Sequence, residues 1–272
     1  MKNLDLLYSE WEMAKSDFLK FKANRPYYDE KRDKEMKDNY YQSLSFNDPN
    51  LFIRLHTLLE KTHTKQLAYS PHLYVYPWVD LQENGTLKSL YSGKGMDPLS
   101  VIEEDVRLYE MQAKGVVSIL SDAQFNCEHV VPQSWFDQKA PMRGDLHHLF
   151  ACEPTCNSSR NNYPYYDFSD YHPESSILGI KDGCGKSEDR KFEPEYGKGI
   201  VARATLYFLI RYPNLIEKEL ADVSLMLKWH ETFPVSTYEK HRNLAIHELQ
   251  GNRNPFIDFP KMAEKIMTIE IK

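Results

Sequence analysis

Residues 126 to 163 read NCEHVVPQSWFDQKAPMRGDLHHLFACEPTCNSSRNNY, and this stretch decides the fold. Gln124 to Pro132 contains a short apolar run around Glu128-His129, which is typical of a strand. After a loop, Asp145 to Glu153 predicts a second strand and Pro154 to Asn162 predicts a short helix. The stretch is therefore predicted to form a strand–loop–strand–helix unit.

Helices are predicted on both sides of this unit, because apolar residues recur there at three- to four-residue spacing. The charged run of residues 27–44 is predicted as a solvated helix face, and Asp48-Pro49 as the start of a further helix. The other predicted helices cover residues 3–22, Asp97–Lys114, Gly199–Tyr212, Leu215–His230, Tyr238–Leu249 and Pro260–Met267.

A β-hairpin is predicted ahead of the central unit. His72 to Asp80 is rich in aromatic and β-branched residues, Asn84-Gly85 is a common hairpin turn, and Thr86 to Ser92 follows as the partner strand. Residues 164–195 are rich in Pro, Gly, Asp and Ser and are predicted as loops. Many helices would thus surround a small antiparallel β core, so the fold class is predicted as α+β in one compact domain.

The composition is that of an ordinary globular protein, with 41% hydrophobic and 27% charged residues in a chain of 272. No apolar run approaches the length of a membrane span, and the first residues include Asp5, Glu10 and Glu12 where a secretory signal would be apolar. The chain is expected to be monomeric and cytoplasmic, or secreted or periplasmic if a signal has been removed. The net charge of −6 disfavours a broadly basic nucleic-acid-binding surface, although a metal-dependent site can be locally cationic.

The four cysteines, Cys127, Cys152, Cys156 and Cys184, all fall in or near the central unit, which scattered buried thiols would not usually do. Three interpretations stay open. The thiols are simply buried, or all four thiolates hold a structural Zn²⁺, which the clustering and a cytosolic context would favour. Disulfides become the better interpretation if the protein is exported.

Polar residues of the central stretch match the needs of phosphodiester hydrolysis. His129 can act as the general base, since an ordinary imidazole is largely neutral near pH 7. Glu128 and Asn157 offer hard oxygen ligands that suit Mg²⁺, and Arg143 or Arg160 can hold the phosphate. By spacing alone this signal is weak, because each residue type also has a purely structural use, such as a helix cap for Asn157.

One geometric condition applies to Glu128 and His129. Adjacent residues on a regular strand point to opposite faces, so both side chains can face one site only if the strand ends, twists or bulges there. A nuclease site therefore predicts irregular backbone at this dipeptide.

Three segments of the stretch resemble the endonuclease I family of ββα-metal, or His-Me finger, nucleases. They are Glu128-His-Val-Val-Pro-Gln-Ser-Trp-Phe136, Met142-Arg-Gly-Asp-Leu-His-His-Leu-Phe150 and Cys156-Asn-Ser-Ser-Arg-Asn-Asn-Tyr-Pro164. Leu90–Gly93, Lys198–Ala204 and Gly251–Asp258 also resemble family segments, in the family's order. The resemblance covers roughly residues 67–260, and several separated motifs in order are far more specific than a lone Glu-His pair.

The resemblance implies a metal-dependent endonuclease that cuts DNA, and often RNA, with little sequence preference and leaves 5′-phosphate ends. It implies that His129 is the general base and that Glu128 and Asn157 hold Mg²⁺, for which Mn²⁺ or Ca²⁺ can substitute. Arg143, Arg160 and Arg203 are its candidates for the phosphate-binding arginine.

Other residues of the matching segments are expected to support the site. Asp145, His147 and Asn161 are assigned orienting positions, and Lys198 with Arg203 are candidates for nucleic-acid binding. Residues 67–272 would form the nuclease domain. Residues 1–66, which lie outside the resemblance, would be a helical extension packed on that domain.

Two rival functions use the same residues. A structure- or substrate-selective nuclease would fit the acidic charge and a cytoplasmic location, because an indiscriminate nuclease would be toxic there. A noncatalytic nucleic-acid-binding module with a zinc-stapled core would fit the cysteine cluster. Cleavage of plasmid in Mg²⁺ but not in EDTA separates an enzyme from such a module.

Overall fold

The computed structural model describes residues 4–116, 126–171 and 183–271. The chain divides into two compact units, each built from three separate segments. The first unit comprises Met1–Arg25, Ala68–Val130 and Leu149–Gly197, and the second comprises Pro26–Leu67, Val131–His148 and Lys198–Lys272. Residues 1–66, predicted to form a helical extension, are thus divided between the two units.

Helices dominate the described residues, and short antiparallel strand pairs accompany them, so the predicted α+β class is confirmed. The helices are α1 Leu4–Asn24, α2 Glu30–Tyr40, α3 Leu51–Thr62, α4 Pro71–Tyr74, α5 Pro98–Ala113, α6 Pro154–Arg160, α7 Lys198–Arg211, α8 Val223–Thr232, α9 Thr237–Gln250, α10 Pro255–Asp258 and α11 Ala263–Ile271. The strands are β1 Leu87–Lys88, β2 Gly95–Met96, β3 Cys127–His129, β4 Leu149–Ala151, β5 Gly185–Glu188 and β6 Lys191–Pro194, paired as β1–β2, β3–β4 and β5–β6. Across these described ranges, no helix is long and apolar enough to cross a membrane.

The first unit is built around the packing of α1 on α4 and α5. Leu7, Ala14 and Phe18 are buried on one face of α1, as the helical spacing of apolar residues predicts. Burial of each large apolar side chain contributes about 1.5–3 kcal/mol, so this face holds α1 in the unit.

The prediction of a strand at His72–Asp80, the first strand of the hairpin, is wrong. After α4 the chain makes a π-helical turn over Val75–Val79, in which the Asp80 N–H donates to the Val75 carbonyl at 2.9 Å. Pro71 in the first turn of α4 favours a helix start, and Pro77 could not donate to a strand ladder. Burial of the aromatic and β-branched side chains therefore overrides their strand propensity.

A hairpin is present where loops were predicted, in residues 164–195. β5 pairs with β6 so that Glu188 lies opposite Lys191. Asp189 and Arg190, which join the two strands, both have positive φ angles, 48° and 58°. Two consecutive residues of this kind are typical of the tight hairpin turn whose usual sequence is Asn-Gly, which explains why Asp-Arg gave no signal.

The second unit is mostly helical, with α7 buried along nearly its whole length. Its predicted helices α7 and α9 are present almost as expected. α9 begins with a capping box between Ser236 and Glu239 and ends at Gly251, which has a φ of 98°. A Cβ at Gly251 would lie 2.4 Å from the Thr62 carbonyl oxygen, so only glycine fits this helix end without strain.

Candidate active site

β3 and β4 carry the central motifs of the first unit. Cys127, Glu128 and His129 pair with Ala151, Phe150 and Leu149, respectively, in a regular antiparallel register. Both predicted strands are therefore present, but they are shorter than expected. Gln124 and Phe125, predicted to begin the first strand, lie outside the described residues.

β3 ends at His129, directly after the candidate dipeptide. The pairing is regular through Glu128 and His129, and the strand ends at His129, so the strand end is the feature that would let both side chains face one site. The irregular backbone predicted at this dipeptide is therefore limited to the end of the strand. The His129 side chain lies beside Tyr69, with 4.9 Å between ring centroids, and His129 is only 4% exposed.

Glu128 is a buried carboxylate in a polar surrounding. The Tyr91 hydroxyl donates to its Oε1 at 2.7 Å, and Nε of Arg160 lies 3.6 Å from the same oxygen. Burial raises the pKa of Glu128 to about 7, although Arg160, the Tyr91 hydroxyl and the His129 backbone each act to lower it. A cation bound at this carboxylate would favour its ionised form in the same way as Arg160 does.

Asn157 on α6 is tied to β3. Its side-chain Nδ2 donates to the Cys127 carbonyl at 3.0 Å, and Asn157 is only 7% exposed. A carboxamide has one NH₂ group and one oxygen, so this hydrogen bond leaves Oδ1 as the atom that can accept a metal ion. The helix residue and the strand that bears Glu128 are thereby fixed to each other.

Glu128 and Asn157 fit a Mg²⁺ ion by the chemistry of their donors. One offers carboxylate oxygens and the other an amide oxygen, both hard ligands, and Mg²⁺ usually keeps several waters beside one or two protein ligands. Across residues 4–116, 126–171 and 183–271, no group of three or more His, Cys, Asp or Glu side chains is arranged to hold a metal ion.

Arg160, one of the arginines predicted to hold the phosphate, is buried at the end of α6 with 1% of its surface exposed. Its Nη2 donates to the Val130 carbonyl at 2.9 Å and its Nη1 to the Asn161 carbonyl at 3.1 Å. The guanidinium carbon also lies 4.7 Å from the centroid of the Tyr165 ring. The Arg160 guanidinium thus donates its hydrogen bonds to groups within the protein. This arrangement weighs against contact between Arg160 and a substrate phosphate.

Two of the four cysteines form a disulfide, Cys156–Cys184, while Cys127 and Cys152 are buried free thiols. The four-thiolate zinc site considered from the sequence is therefore wrong, because a disulfide leaves only two thiols. Burial raises the pKa of both the Cys127 and the Cys152 thiol, so each stays protonated at neutral pH. The disulfide instead links α6, which carries Asn157, to the residue before β5.

Arg143, another candidate for the phosphate-binding arginine, lies in the second unit. It is half-buried, and its Nε donates to the Gln133 Oε1 at 2.7 Å. Its guanidinium is thus more exposed to solvent than that of Arg160.

Asp145 is the hub of a buried network in the second unit. Its carboxylate accepts hydrogen bonds from the hydroxyls of Tyr207 and Tyr212, at 2.7 and 2.9 Å, and from the Gln250 amide at 2.8 Å. Burial alone would raise the pKa of Asp145, but the surrounding histidines and the Gln250 hydrogen bond lower it. Burial lowers the pKa of His147 to about 4, so its ring is neutral at pH 7. Their contacts lie within the second unit, and the supporting roles of Asp145 and His147 stay predictions.

Lys198 and Arg203, the predicted nucleic-acid contacts, are both buried in the second unit. Arg203 is paired with Glu239 and donates to the Phe233 carbonyl at 2.8 Å, and the Lys198 ammonium lies 5.1 Å from the centroid of the Trp229 ring. These structural partners weigh against the predicted contact with nucleic acid. Asn161, predicted as a supporting residue, has a φ of 55° at the end of α6, and its side chain accepts from the Asn162 N–H at 2.8 Å.

Two tyrosines of the site, Tyr91 and Tyr165, were missed by reasoning from the sequence. Their hydroxyls lie 2.6 Å apart, and Tyr91 is the direct partner of Glu128. Tyr91 falls in the segment Leu90–Gly93 that resembles the family, but its residue type indicated packing as readily as any polar role.

Several known proteins similar to this chain are named as nucleases. The class of protein that the chain resembles is therefore the nucleases. An "Extracellular ribonuclease" of Bacillus amyloliquefaciens is 32% identical over 164 residues, which cover 54% of this chain and 55% of that protein. An "Extracellular deoxyribonuclease" of Aeromonas hydrophila is 32% identical over 152 residues, covering 48% and 64%. A "Periplasmic deoxyribonuclease" of the same organism is 30% identical over 156 residues, covering 50% and 64%. The chain thus spans between about half and two thirds of the length of these relatives.

The family model of Endonuclease I matches residues 50–261. This match covers most of the chain, and the chain belongs to the endonuclease I family. The resemblance read from the motifs is therefore confirmed, and the match begins earlier than expected, next to the start of α3.

Proposed function

We propose that this protein is a metal-dependent endonuclease that hydrolyses phosphodiester bonds of DNA, and also of RNA, with little sequence preference. Membership of the endonuclease I family supports this function, and so do relatives named both as deoxyribonucleases and as ribonucleases. The hydrogen bond from Asn157 to the Cys127 carbonyl carries the proposal. It holds a candidate metal ligand beside the strand that bears Glu128 and His129.

Each residue of the site has one task in the proposed reaction. Glu128 and Asn157 would hold Mg²⁺ with side-chain oxygens, and the bound ion would supply positive charge beside the phosphate and the leaving oxygen. His129 takes the proton from the attacking water as the phosphorus–oxygen bond forms. The bond between phosphorus and the 3′-oxygen then breaks, and the 3′-oxygen takes a proton from solvent water, which leaves a 5′-phosphate and a 3′-hydroxyl.

Arg143 is the arginine that we expect to contact the phosphate. It is half-buried in a short turn, whereas Arg160 is almost completely buried and donates to two backbone carbonyls. A guanidinium that is only half-buried is closer to solvent, where it can form the paired hydrogen bonds that phosphate oxygens favour.

Export to the periplasm or the extracellular space is part of the proposal. The expected cytoplasmic location finds no support among the relatives, whose names describe extracellular and periplasmic proteins. The Cys156–Cys184 disulfide supports export independently, because disulfides persist in oxidising compartments and are rare in the cytosol.

Plasmid cleavage tests the enzyme directly. Pure protein is expected to nick and linearise supercoiled plasmid, and to degrade ribosomal RNA, in Mg²⁺ and to do neither in excess EDTA. Product ends are then labelled with kinase before and after phosphatase treatment, and labelling only after phosphatase indicates 5′-phosphates. The enzyme proposal fails if concentrated protein cuts neither nucleic acid in Mg²⁺, Mn²⁺ or Ca²⁺.

A further inference from the structure

We infer that Tyr91 is a positioning residue for Glu128, holding one carboxylate oxygen so that the other is presented to the metal ion. This inference rests on the proposed function, since it assigns Glu128 as a metal ligand. Nothing in the reaction requires a tyrosine at the metal, so the case depends on the contacts around the carboxylate.

The Tyr91 side chain is held in place from several directions. Tyr91 is fully buried, and its ring packs edge-on against Phe192 with 5.0 Å between centroids. Its backbone carbonyl accepts from the Tyr196 N–H at 2.9 Å, and the preceding Leu90 N–H donates to the Ala151 carbonyl of β4 at 2.9 Å. A hydroxyl fixed in this way can fix its own partner, the Glu128 carboxylate.

The tyrosine hydroxyls form a chain of donors with one direction. The Tyr91 hydroxyl donates its one proton to Oε1 of Glu128 at 2.7 Å. The 2.6 Å contact between Tyr91 and Tyr165 then requires Tyr165 to be the donor. The Val130 carbonyl, 3.3 Å from the Tyr165 hydroxyl, is already supplied by Arg160 at 2.9 Å.

Both side-chain partners of Glu128 meet the same oxygen. Tyr91 donates to Oε1, and Arg160 Nε lies 3.6 Å from Oε1. In the described part of the chain, no side chain hydrogen-bonds to Oε2. The His129 backbone N–H is a further partner of this carboxylate. The two side chains thus hold the carboxylate through Oε1, and the inference assigns Oε2 to the metal ion.

A metal-binding role and a merely structural role make different predictions. A buried carboxylate needs hydrogen bonds whatever it does, so removal of the Tyr91 hydroxyl would lower stability in either case. Only a positioning role would also weaken metal binding, because partners that orient a ligand typically contribute about 10- to 100-fold to metal affinity or activity.

Tyr76 offers a matched control within the same unit. It is also fully buried, and its hydroxyl donates to a buried carboxylate, Asp105 Oδ2, at 2.8 Å. Tyr76→Phe therefore removes the same kind of hydrogen bond as Tyr91→Phe, but from a carboxylate that is not a candidate ligand.

Calorimetric titration of the full chain with Mn²⁺ alone tests the inference, with urea unfolding as a second measurement. We expect Tyr91→Phe to bind Mn²⁺ at least about tenfold more weakly than the native protein, and Tyr76→Phe to bind it with native affinity. Both variants should lose similar stability. Raising Mg²⁺ should restore cleavage by Tyr91→Phe, with the KM for DNA unchanged.

The outcomes separate this inference from the proposed function. If Tyr91→Phe binds Mn²⁺ as the native protein does, or if both variants weaken it equally, the positioning role is overturned. If Glu128→Gln binds Mn²⁺ with native affinity, the metal site itself is wrong. If Tyr91→Phe does not fold, Tyr165→Phe is measured in its place. Weaker Mn²⁺ binding by Tyr165→Phe would support the positioning of Glu128 through the two tyrosines, and native Mn²⁺ binding would overturn it.

Discussion

At the scale of single residues, Arg160 and Arg143 differ in burial and in internal hydrogen bonds, and this difference favours Arg143 for contact with a phosphate. Arg160 faces Glu128 inside the first unit and donates to two backbone carbonyls. A buried charge whose partner is removed typically destabilises a protein by about 3–5 kcal/mol. Arg143 is half-buried, so its loss should affect substrate more than folding.

Arg143→Ala should therefore affect mainly cleavage, and Arg160→Met should affect mainly stability. We expect Arg143→Ala to lower kcat/KM for plasmid by about 10²- to 10³-fold, as loss of a donor to a developing charge does, with stability little changed. Arg160→Met should lower the free energy of unfolding by about 3–5 kcal/mol. Urea unfolding and steady-state cleavage measure both effects. If Arg160→Met has native stability and a raised KM, Arg160 and not Arg143 would be the residue that contacts the phosphate.

The roles of Glu128, His129 and Asn157 stay predictions, and they rest on sequence motifs that occur together and in order. Tyr91 could not be predicted as a partner of Glu128, since it lies 37 residues before Glu128 and only the folded chain brings the two together. The same limit applies to Lys198 and Arg203. Their charges indicated nucleic acid, but burial gives them partners within the protein.

At the scale of elements, α6 depends on tertiary contacts for its position. It has only seven residues, and isolated helices of that length are not stable in water. The Cys156–Cys184 disulfide and the Asn157 hydrogen bond to β3 therefore hold the helix that carries the candidate ligand.

Loss of the disulfide should destabilise the protein measurably. The two cysteines are separated by 28 residues, and closing a loop of that size stabilises the folded state by about 3–4 kcal/mol in the chain-entropy description. We expect dithiothreitol to lower the urea midpoint of the native protein but not that of a Cys156→Ser/Cys184→Ser variant. Equal midpoints for the oxidised protein and the double variant would contradict a stabilising disulfide.

Helices and strands with a strong local sequence pattern could be predicted. Those whose conformation depends on packing against the rest of the chain could not. The apolar periodicity of α7 and the Ser236–Glu239 capping box of α9 indicate helices without reference to the rest of the chain. His72–Asp80 has strand-forming residues but is helical, because nearly all of it is buried and Pro71 starts a helix. In the β5–β6 hairpin, Asp189-Arg190 adopts a turn that its residue types do not favour.

At the scale of the whole molecule, the first 66 residues contribute to both compact units. In the first unit α1 buries Leu7 and Phe18, and in the second unit α3 buries Leu55 and Leu59. Exposure of such side chains costs about 1.5–3 kcal/mol each, which is large beside the usual stability of a domain.

Deletion of residues 1–66 should therefore abolish folding rather than release an active domain. We expect a fragment of residues 67–272 to lack a cooperative unfolding transition when it is followed by circular dichroism and tryptophan fluorescence. A fragment that unfolds cooperatively and cuts plasmid at the full-length rate would show instead that the first helices are a dispensable extension.

The most direct measurement is the cleavage rate of supercoiled plasmid by His129→Ala in saturating Mg²⁺, compared with the native protein. General base catalysis contributes roughly 10²- to 10⁴-fold, so a loss of that size is expected while folding and Mn²⁺ affinity stay at native values. A loss of less than about tenfold in a folded, metal-binding variant would contradict His129 as the base.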